Sequence, residues 1–197
     1  MKIDTTIIFK YCFLLGLLFF FTSCQNEKKN RSRQQIVEDY FAELNRSNIA
    51  EASKFVSPDI LGSELEFIQV SNKEDWFRQF RWDSVFNPKY KILEISESEE
   101  KVEATISKKC RRIQYLHDGP IVVKVSFEFR NNLISKDHTF EFLKFDFEKW
   151  QSRRDSLVSW IDDNHPELSG FIYDQTVKGG QDYLFAIELY QKAKPEN

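Results

Sequence analysis

The sequence is poor in residues that interrupt or cross-link a chain. Six glycines and five prolines among 197 residues are about half the usual share, which excludes a collagen-like or linker-rich protein. Three cysteines are too few for the disulfide framework of a small secreted domain. The net charge of −3 provides no general attraction to polyanions, so we expect no nucleic-acid partner.

Motifs that bind metals and cofactors are also missing from the sequence. The three histidines are isolated, and no H-x-x-x-H pair, C-x-x-C pair, GxGxxG loop, Walker loop or G-x-S-x-G elbow occurs. We therefore expect neither a metal nor a cofactor. Apolar residues, in contrast, are abundant: 41% of the chain is hydrophobic and 19 residues are Phe, which is enough to build a core.

The first 24 residues are organised like an export signal. Lys2 and Lys10 precede an apolar run over residues 11–21. A membrane-spanning helix needs about 20 residues, so this run suits the hydrophobic region of a signal peptide better. The run ends in Phe21-Thr22-Ser23-Cys24, where two small residues precede a cysteine.

This ending resembles the lipobox of bacterial lipoproteins, with Phe21 where that motif usually has Leu. The resemblance implies a lipoprotein signal peptide over residues 1–23, a tether over residues 24–32, and palmitate or a similar acyl group on Cys24. The protein would then be a lipoprotein of the bacterial cell envelope, held in a membrane by its lipid anchor. No acidic residue directly follows Cys24, which by the same resemblance favours the outer membrane. An ordinary signal peptide with a chance cysteine is the alternative.

Residues 33–194 are predicted to form a single α+β domain. Apolar residues recur at helical spacing in five segments: about 33–46, 49–56, 71–80, 148–163 and the stretch after Gly179-Gly180. Alternation of apolar and polar residues predicts four strands: 91–97, 102–107 with a possible extension to 116, 121–130 and 137–146. Residues 64–70 fit either a strand or a helical turn. Turn signals between the strands indicate consecutive hairpins and an antiparallel meander.

The segment Asp39–Ala52 (DYFAELNRSNIAEA) resembles the first helix, polar break and second helix of the NTF2-like superfamily, which includes SnoaL-like cyclases and ketosteroid isomerases. The resemblance covers roughly residues 33–147. It implies N-terminal helices packed on a curved antiparallel sheet, forming a cone around an apolar cavity that small ligands occupy. The helices at 148–194 are additional to that pattern, and we expect them to cover the sheet or fill the cavity mouth. A cystatin-type fold is the alternative.

His138 is the most interesting titratable residue. It shares parity with Phe140, so we expect it on the core side of its strand. If both flanking turns are tight, His138 and Arg112 lie on either side of Val125 and can serve as an acid/base and anion-holding pair. Asp137 then points to the opposite face. A slip of one residue in the register reverses these faces, and a purely structural histidine is the alternative.

Two functions are compatible with these observations. We favour a noncatalytic module that binds a small apolar ligand or a protein partner, because no catalytic motif accompanies the fold resemblance. The alternative is a small-molecule isomerase, dehydratase or cyclase that uses His138 with Arg112. Trp82 and Trp160 lie partly off the apolar stripes of their helices and are candidates to border a pocket.

Overall fold

The structure, a computed structural model, describes residues 31–194. The predicted signal peptide and Cys24 lie outside the described residues. No helix within residues 31–194 is both long and apolar enough to cross a membrane.

Helices precede, interrupt and follow the strands in chain order. The α-helices are α1 (Arg33–Asn45), α2 (Ile49–Ala52), α3 (Lys73–Ser84), α4 (Arg111–His117), α5 (Phe147–Asn164) and α6 (Val177–Ala193). The strands are β1 (Val56–Glu64), β2 (Phe67–Val70), β3 (Lys89–Glu97), β4 (Lys101–Lys109), β5 (Ile121–Arg130) and β6 (Leu133–Lys144). Single 3₁₀ turns occupy Ser53–Phe55, Pro166–Leu168 and Phe171–Tyr173.

The six strands form one curved, open sheet in the order β2-β1-β6-β5-β4-β3. Strands β3 to β6 make the predicted antiparallel meander. Strand β1 runs parallel to β6, so the sheet is mixed rather than wholly antiparallel. The α+β class predicted from the sequence is confirmed, with the N-terminal helices packed on the sheet and the C-terminal helices packed mainly on other helices.

The pairing of β5 with β6 contains β-bulges that decide which side chains face inward. Val123 lies opposite Phe142, whereas Val125 lies opposite Thr139. The intervening stretch of β6 is therefore one residue longer than the stretch of β5 that it pairs with. An extra residue bends the strand and reverses the faces of the residues on one side of it.

Two segments differ from their predicted structures. The possible extension of β4 to residue 116 is wrong, because Arg111–His117 is the helix α4. Its first turn is capped by Cys110, whose Sγ accepts a hydrogen bond from the Ile113 backbone N–H at 3.4 Å. Cysteine is not among the preferred N-cap residues, so no sequence signal marked this helix.

The second difference concerns the start of strand β1. The short helix predicted up to Pro58 ends at residue 55, and the strand begins at Val56. Proline cannot donate to a sheet ladder. Pro58 is tolerated here because β1 has no register partner on β6 between Val56 and Leu61.

Buried side chains form two clusters rather than one. The first fills the space between α1, α3 and the sheet, and it includes Tyr40, Trp76 and Phe127. The second lies among α4, α5 and α6, and it includes Leu116 and Leu157. The C-terminal helices therefore contribute a hydrophobic core of their own, beside the one that the sheet covers.

Candidate functional site

A cavity of about 550 Å³ lies where the inner face of the sheet meets α3, α4 and α5. Its lining takes residues from both hydrophobic clusters, such as Phe127 from the first and Ile113 from the second. Aromatic rings supply much of the apolar wall: Phe41, Phe80, Trp82, Phe127, Phe142 and Trp150. Its size falls within the range of about 300–1,000 Å³ that is usual for small-molecule sites.

Two residues of opposite charge in the cavity wall, Lys108 and Asp83, form an ion pair. Lys108 Nζ on β4 donates to Asp83 Oδ1 on α3 at 2.9 Å, and the Tyr90 hydroxyl donates to Asp83 Oδ2 at 2.8 Å. Burial raises the pKa of Asp83, but the charges of Lys108 and Arg112 and the two hydrogen bonds outweigh burial and place the pKa below its ordinary value. Asp83 is therefore an ionised structural carboxylate that holds Lys108 in place.

Asp137 on β6 is a carboxyl group of a different kind. It is partly buried and lines the cavity, beside Gly62 of the parallel strand β1. A Cβ atom on Gly62 would lie 3.0 Å from Asp137 Oδ1, so the missing side chain gives the carboxyl group its room. Burial raises the pKa of Asp137 from 3.8 to about 7. No ion pair or hydrogen bond to its side chain occurs among residues 31–194, so nothing offsets the burial.

Tyr40 on α1 reaches the same region of the cavity. Its hydroxyl accepts a hydrogen bond from Trp76 Nε1 at 3.1 Å, which leaves the phenolic proton available to another acceptor. Burial, followed by the nearby charge of Asp137, raises the pKa of Tyr40 well above its ordinary value. Two groups that can exchange or donate a proton thus share one part of the cavity.

Arg112 on α4 supplies positive charge to the cavity from the helical side. Its guanidinium carbon lies 4.7 Å from the ring centroid of Trp82 and 5.4 Å from those of Phe86 and Trp150. Such contacts hold a guanidinium group in place by cation–π attraction.

The structure does not bring His138 together with Arg112, although the sequence predicted that they converge. Asp137 and Thr139 line the cavity and His138 does not. A register shift between Glu128 and Phe129 places His138 opposite Ser126 instead of Val125. The extra residue between Thr139 and Glu141 also breaks the expected parity of His138 with Phe142, which lines the cavity. Its Nδ1 is 2.9 Å from Ser63 Oγ on β1, which gives the ring a partner on the opposite face of the sheet.

The remaining residues singled out from the sequence divide between cavity and core. Trp82 borders the cavity as predicted, whereas Trp160 packs against Tyr190 with ring centroids 5.6 Å apart. His117, expected in an exposed turn, is buried and accepts a hydrogen bond at Nε2 from the Asp146 backbone N–H at 2.8 Å. It therefore joins the end of α4 to the start of α5.

No protein-family model matches the sequence, and no curated protein matches it significantly. Solved structures do share its architecture. A protein from Kribbella flavida has a TM-score of 0.50 at 9% identity, over 62% of this chain and 96% of that one. An NTF2-like protein from Cytophaga hutchinsonii has a TM-score of 0.49 at 14% identity, over 58% and 93% of the two chains. A proposed polyketide cyclase from Sinorhizobium meliloti has a TM-score of 0.46 at 15% identity, over 52% and 91%.

NTF2-like proteins are thus among the structural neighbours of this chain. At such identities the likeness concerns the fold alone, because one architecture carries many unrelated functions. The match to the Kribbella flavida structure leaves 38% of this chain unmatched (the complement of the 62% that is covered).

Proposed function

We propose that this protein is a noncatalytic binding module that holds a small, largely apolar ligand in the cavity between the sheet and helices α3 to α5. The observation that carries the proposal is the cavity itself, with aromatic walls and two polar groups, Asp137 and Arg112, that form no ion pair within residues 31–194. Apolar pockets with a few polar groups are the usual form of small-molecule sites.

The polar groups of the cavity support binding more than catalysis. Lys108 is held by Asp83, and Arg112 is held by aromatic rings. His138, the acid/base group expected from the sequence, has its partner on the other face of the sheet. A catalytic site needs a proton-transfer group and a charge-stabilising group within reach of one substrate atom, and the described residues do not pair Asp137 with a cation.

Native mass spectrometry of the purified protein tests the binding proposal. We expect a ligand that co-purifies with wild type and is lost in Val123→Trp, because a Trp at this cavity-lining position of β5 fills the space. Lys124→Trp is the matched control, since it places the same side chain one residue along β5 on the outer face. A ligand retained by Val123→Trp, or lost equally from both variants, would contradict binding in this cavity.

A second candidate function is proton transfer by Asp137, as in an isomerase, dehydratase or cyclase. The observation that favours it is the pKa of about 7, since a general acid or base works best when its pKa lies near the working pH. Tyr40 lies close enough for the charge of Asp137 to raise its own pKa. Incubating the extracted ligand with wild type and with Asp137→Asn separates the two functions: conversion by wild type alone would indicate an enzyme.

We further propose that Cys24 carries a lipid that anchors the module in the bacterial cell envelope, in the outer membrane by the resemblance to lipoproteins. The support is the sequence Phe21-Thr22-Ser23-Cys24 at the end of a short apolar run. Cells given radiolabelled palmitate should incorporate label into wild type and not into Cys24→Ala. Label retained by Cys24→Ala would refute the anchor without affecting the ligand proposal.

A further inference from the structure

The guanidinium group of Arg112 is surrounded by aromatic rings. Besides Trp82, Phe86 and Trp150, the ring of Tyr183 lies 5.9 Å from the guanidinium carbon. These rings come from α3, the segment that follows it, α5 and α6. Three separate parts of the chain therefore converge to position one positive charge at the wall of the cavity.

The carboxyl groups of Asp83 and Glu64 lie near enough to feel the charge of Arg112, but neither forms an ion pair with it within residues 31–194. Arg112 makes no salt bridge there, and its Nε is buried without a hydrogen-bond partner. Trp82 Nε1, in the ring that stacks closest to the guanidinium, is likewise buried and unpartnered. Charges removed from water are normally paired, because leaving them unpaired is costly.

The other charged groups of the cavity lining form no ion pair with Arg112 within residues 31–194. Asp83 already accepts from Lys108 and Tyr90. Arg154 is another cation of the cavity lining, and it donates at 2.8 Å to Asp155, which is not a lining residue. Burial raises the pKa of Glu64, the charges of Lys108 and Arg112 lower it in part, and Glu64 forms no ion pair with either cation within residues 31–194.

The sheet side of the cavity contributes an acidic group, Asp137, instead of a cation. Burial alone raises the pKa of Asp137, and Arg112 is not among the charges that affect it. Asp137 lines the cavity from strand β6, whereas Arg112 lines it from helix α4. A ligand that spans the cavity meets a cation at the helical side and an uncharged or weakly charged acid at the sheet.

We infer that the cavity takes a small organic anion with a flat apolar body, whose carboxylate pairs with Arg112 while the body lies along the aromatic walls. The inference rests on the proposed binding function and specifies the chemical class of its ligand. A planar guanidinium binds a carboxylate through paired, charge-assisted hydrogen bonds, and Nε of Arg112 is a buried donor without a partner among residues 31–194.

Calorimetric titration of the full chain with 2-naphthylacetate and with its uncharged counterpart 2-naphthylacetamide tests the inference. We expect wild type to bind the carboxylate about tenfold more tightly than the amide. Arg112→Met should remove this preference and leave the affinity for the amide unchanged, which also shows that the cavity is intact. Arg111→Met is the matched control, because Arg111 is exposed, pairs with Glu188 and lies outside the cavity lining.

The possible results separate the ligand class from the cavity itself. Equal affinity of wild type for the two compounds, or a preference that survives in Arg112→Met, would overturn the inference and leave the binding cavity standing. Binding of neither compound would overturn both. If Arg112→Met does not fold, Arg112→Lys should retain the preference. Added salt should also weaken binding of the carboxylate to wild type and not that of the amide; insensitivity to salt would count against the inference.

Discussion

Replacing Asp137 with asparagine should change how folding stability depends on pH. Burial raises the pKa of this carboxyl from 3.8 to about 7 in the folded protein. Below about pH 4 the group is neutral in both states. Between that pH and about 7 the unfolded chain releases the proton while the folded protein retains it, so stability is lost as the pH rises. Above the folded pKa both states are ionised and the loss is complete.

The size of this effect follows from the interval between the two pKa values. Each pH unit across it costs about 1.4 kcal/mol, which gives about 4 kcal/mol for the whole interval from pH 3.8 to 7. Asparagine has nearly the same shape as the neutral acid and cannot ionise. The free energy of unfolding of Asp137→Asn, relative to wild type, should therefore increase by about 3 kcal/mol between pH 5 and pH 8.

Urea denaturation of wild type and Asp137→Asn at pH 5, 6, 7 and 8 measures this difference directly. Glu141→Gln is the matched control, because it removes an exposed carboxylate from the outer face of the same strand, where Glu141 pairs with Lys124 at 2.7 Å. A difference between Asp137→Asn and wild type that stays constant over this range would refute the reasoning. An asparagine variant that is less stable than wild type at pH 8 would indicate an ionised, paired carboxylate instead.

Three further substitutions test a close backbone contact, a buried hydrogen bond and a buried ion pair. Gly179→Ala should cost about 1–3 kcal/mol, because a Cβ there would collide with the Asp174 carbonyl oxygen, whereas a Cβ at Gly119 would meet only Lys144 Nζ at 4.0 Å. Equal melting temperatures of the two variants would contradict this close contact. His117→Ala should cost about 1–3 kcal/mol by leaving the Asp146 N–H without its acceptor. His165→Ala should cost less, because the ring of His165 is half-buried and bonds the exposed side chain of Glu167; equal effects would contradict the buried hydrogen bond. Lys108→Met should cost about 3–5 kcal/mol by leaving the buried Asp83 without its cation. Restored stability in the double variant with Asp83→Asn would confirm the pairing, whereas additive losses would contradict it.

The sequence predicted those elements whose signal is local and repeated. Strand β5 is predicted at its observed bounds because apolar and polar residues alternate over residues 123–130, directly after the apolar residues 121 and 122. Helix α1 was found because Ser32 caps it, accepting from the Gln35 N–H at 3.1 Å, and apolar residues recur on one face. Both signals depend only on neighbours in the chain.

The candidate site could not be predicted in the same way, because it depends on pairing between distant segments. One extra residue in β6 exchanges the faces of Asp137 and His138, and no residue type near it marks a bulge. The prediction therefore placed the wrong member of the pair in the cavity. Arg112 lines the cavity, but it does so from α4, whose cap is a cysteine, and not from the strand position expected for it.

The indole N–H resonances of the four tryptophans test the central claim that a ligand occupies this cavity. Trp82 and Trp150 line it, whereas Trp76 is fully buried against Tyr40 and Trp160 packs on Tyr190. During a titration with 2-naphthylacetate followed by ¹H–¹⁵N NMR, the account predicts that the signals of Trp82 and Trp150 shift together while those of Trp76 and Trp160 stay in place. Binding that shifts Trp160, or that leaves Trp82 and Trp150 unmoved, would contradict it.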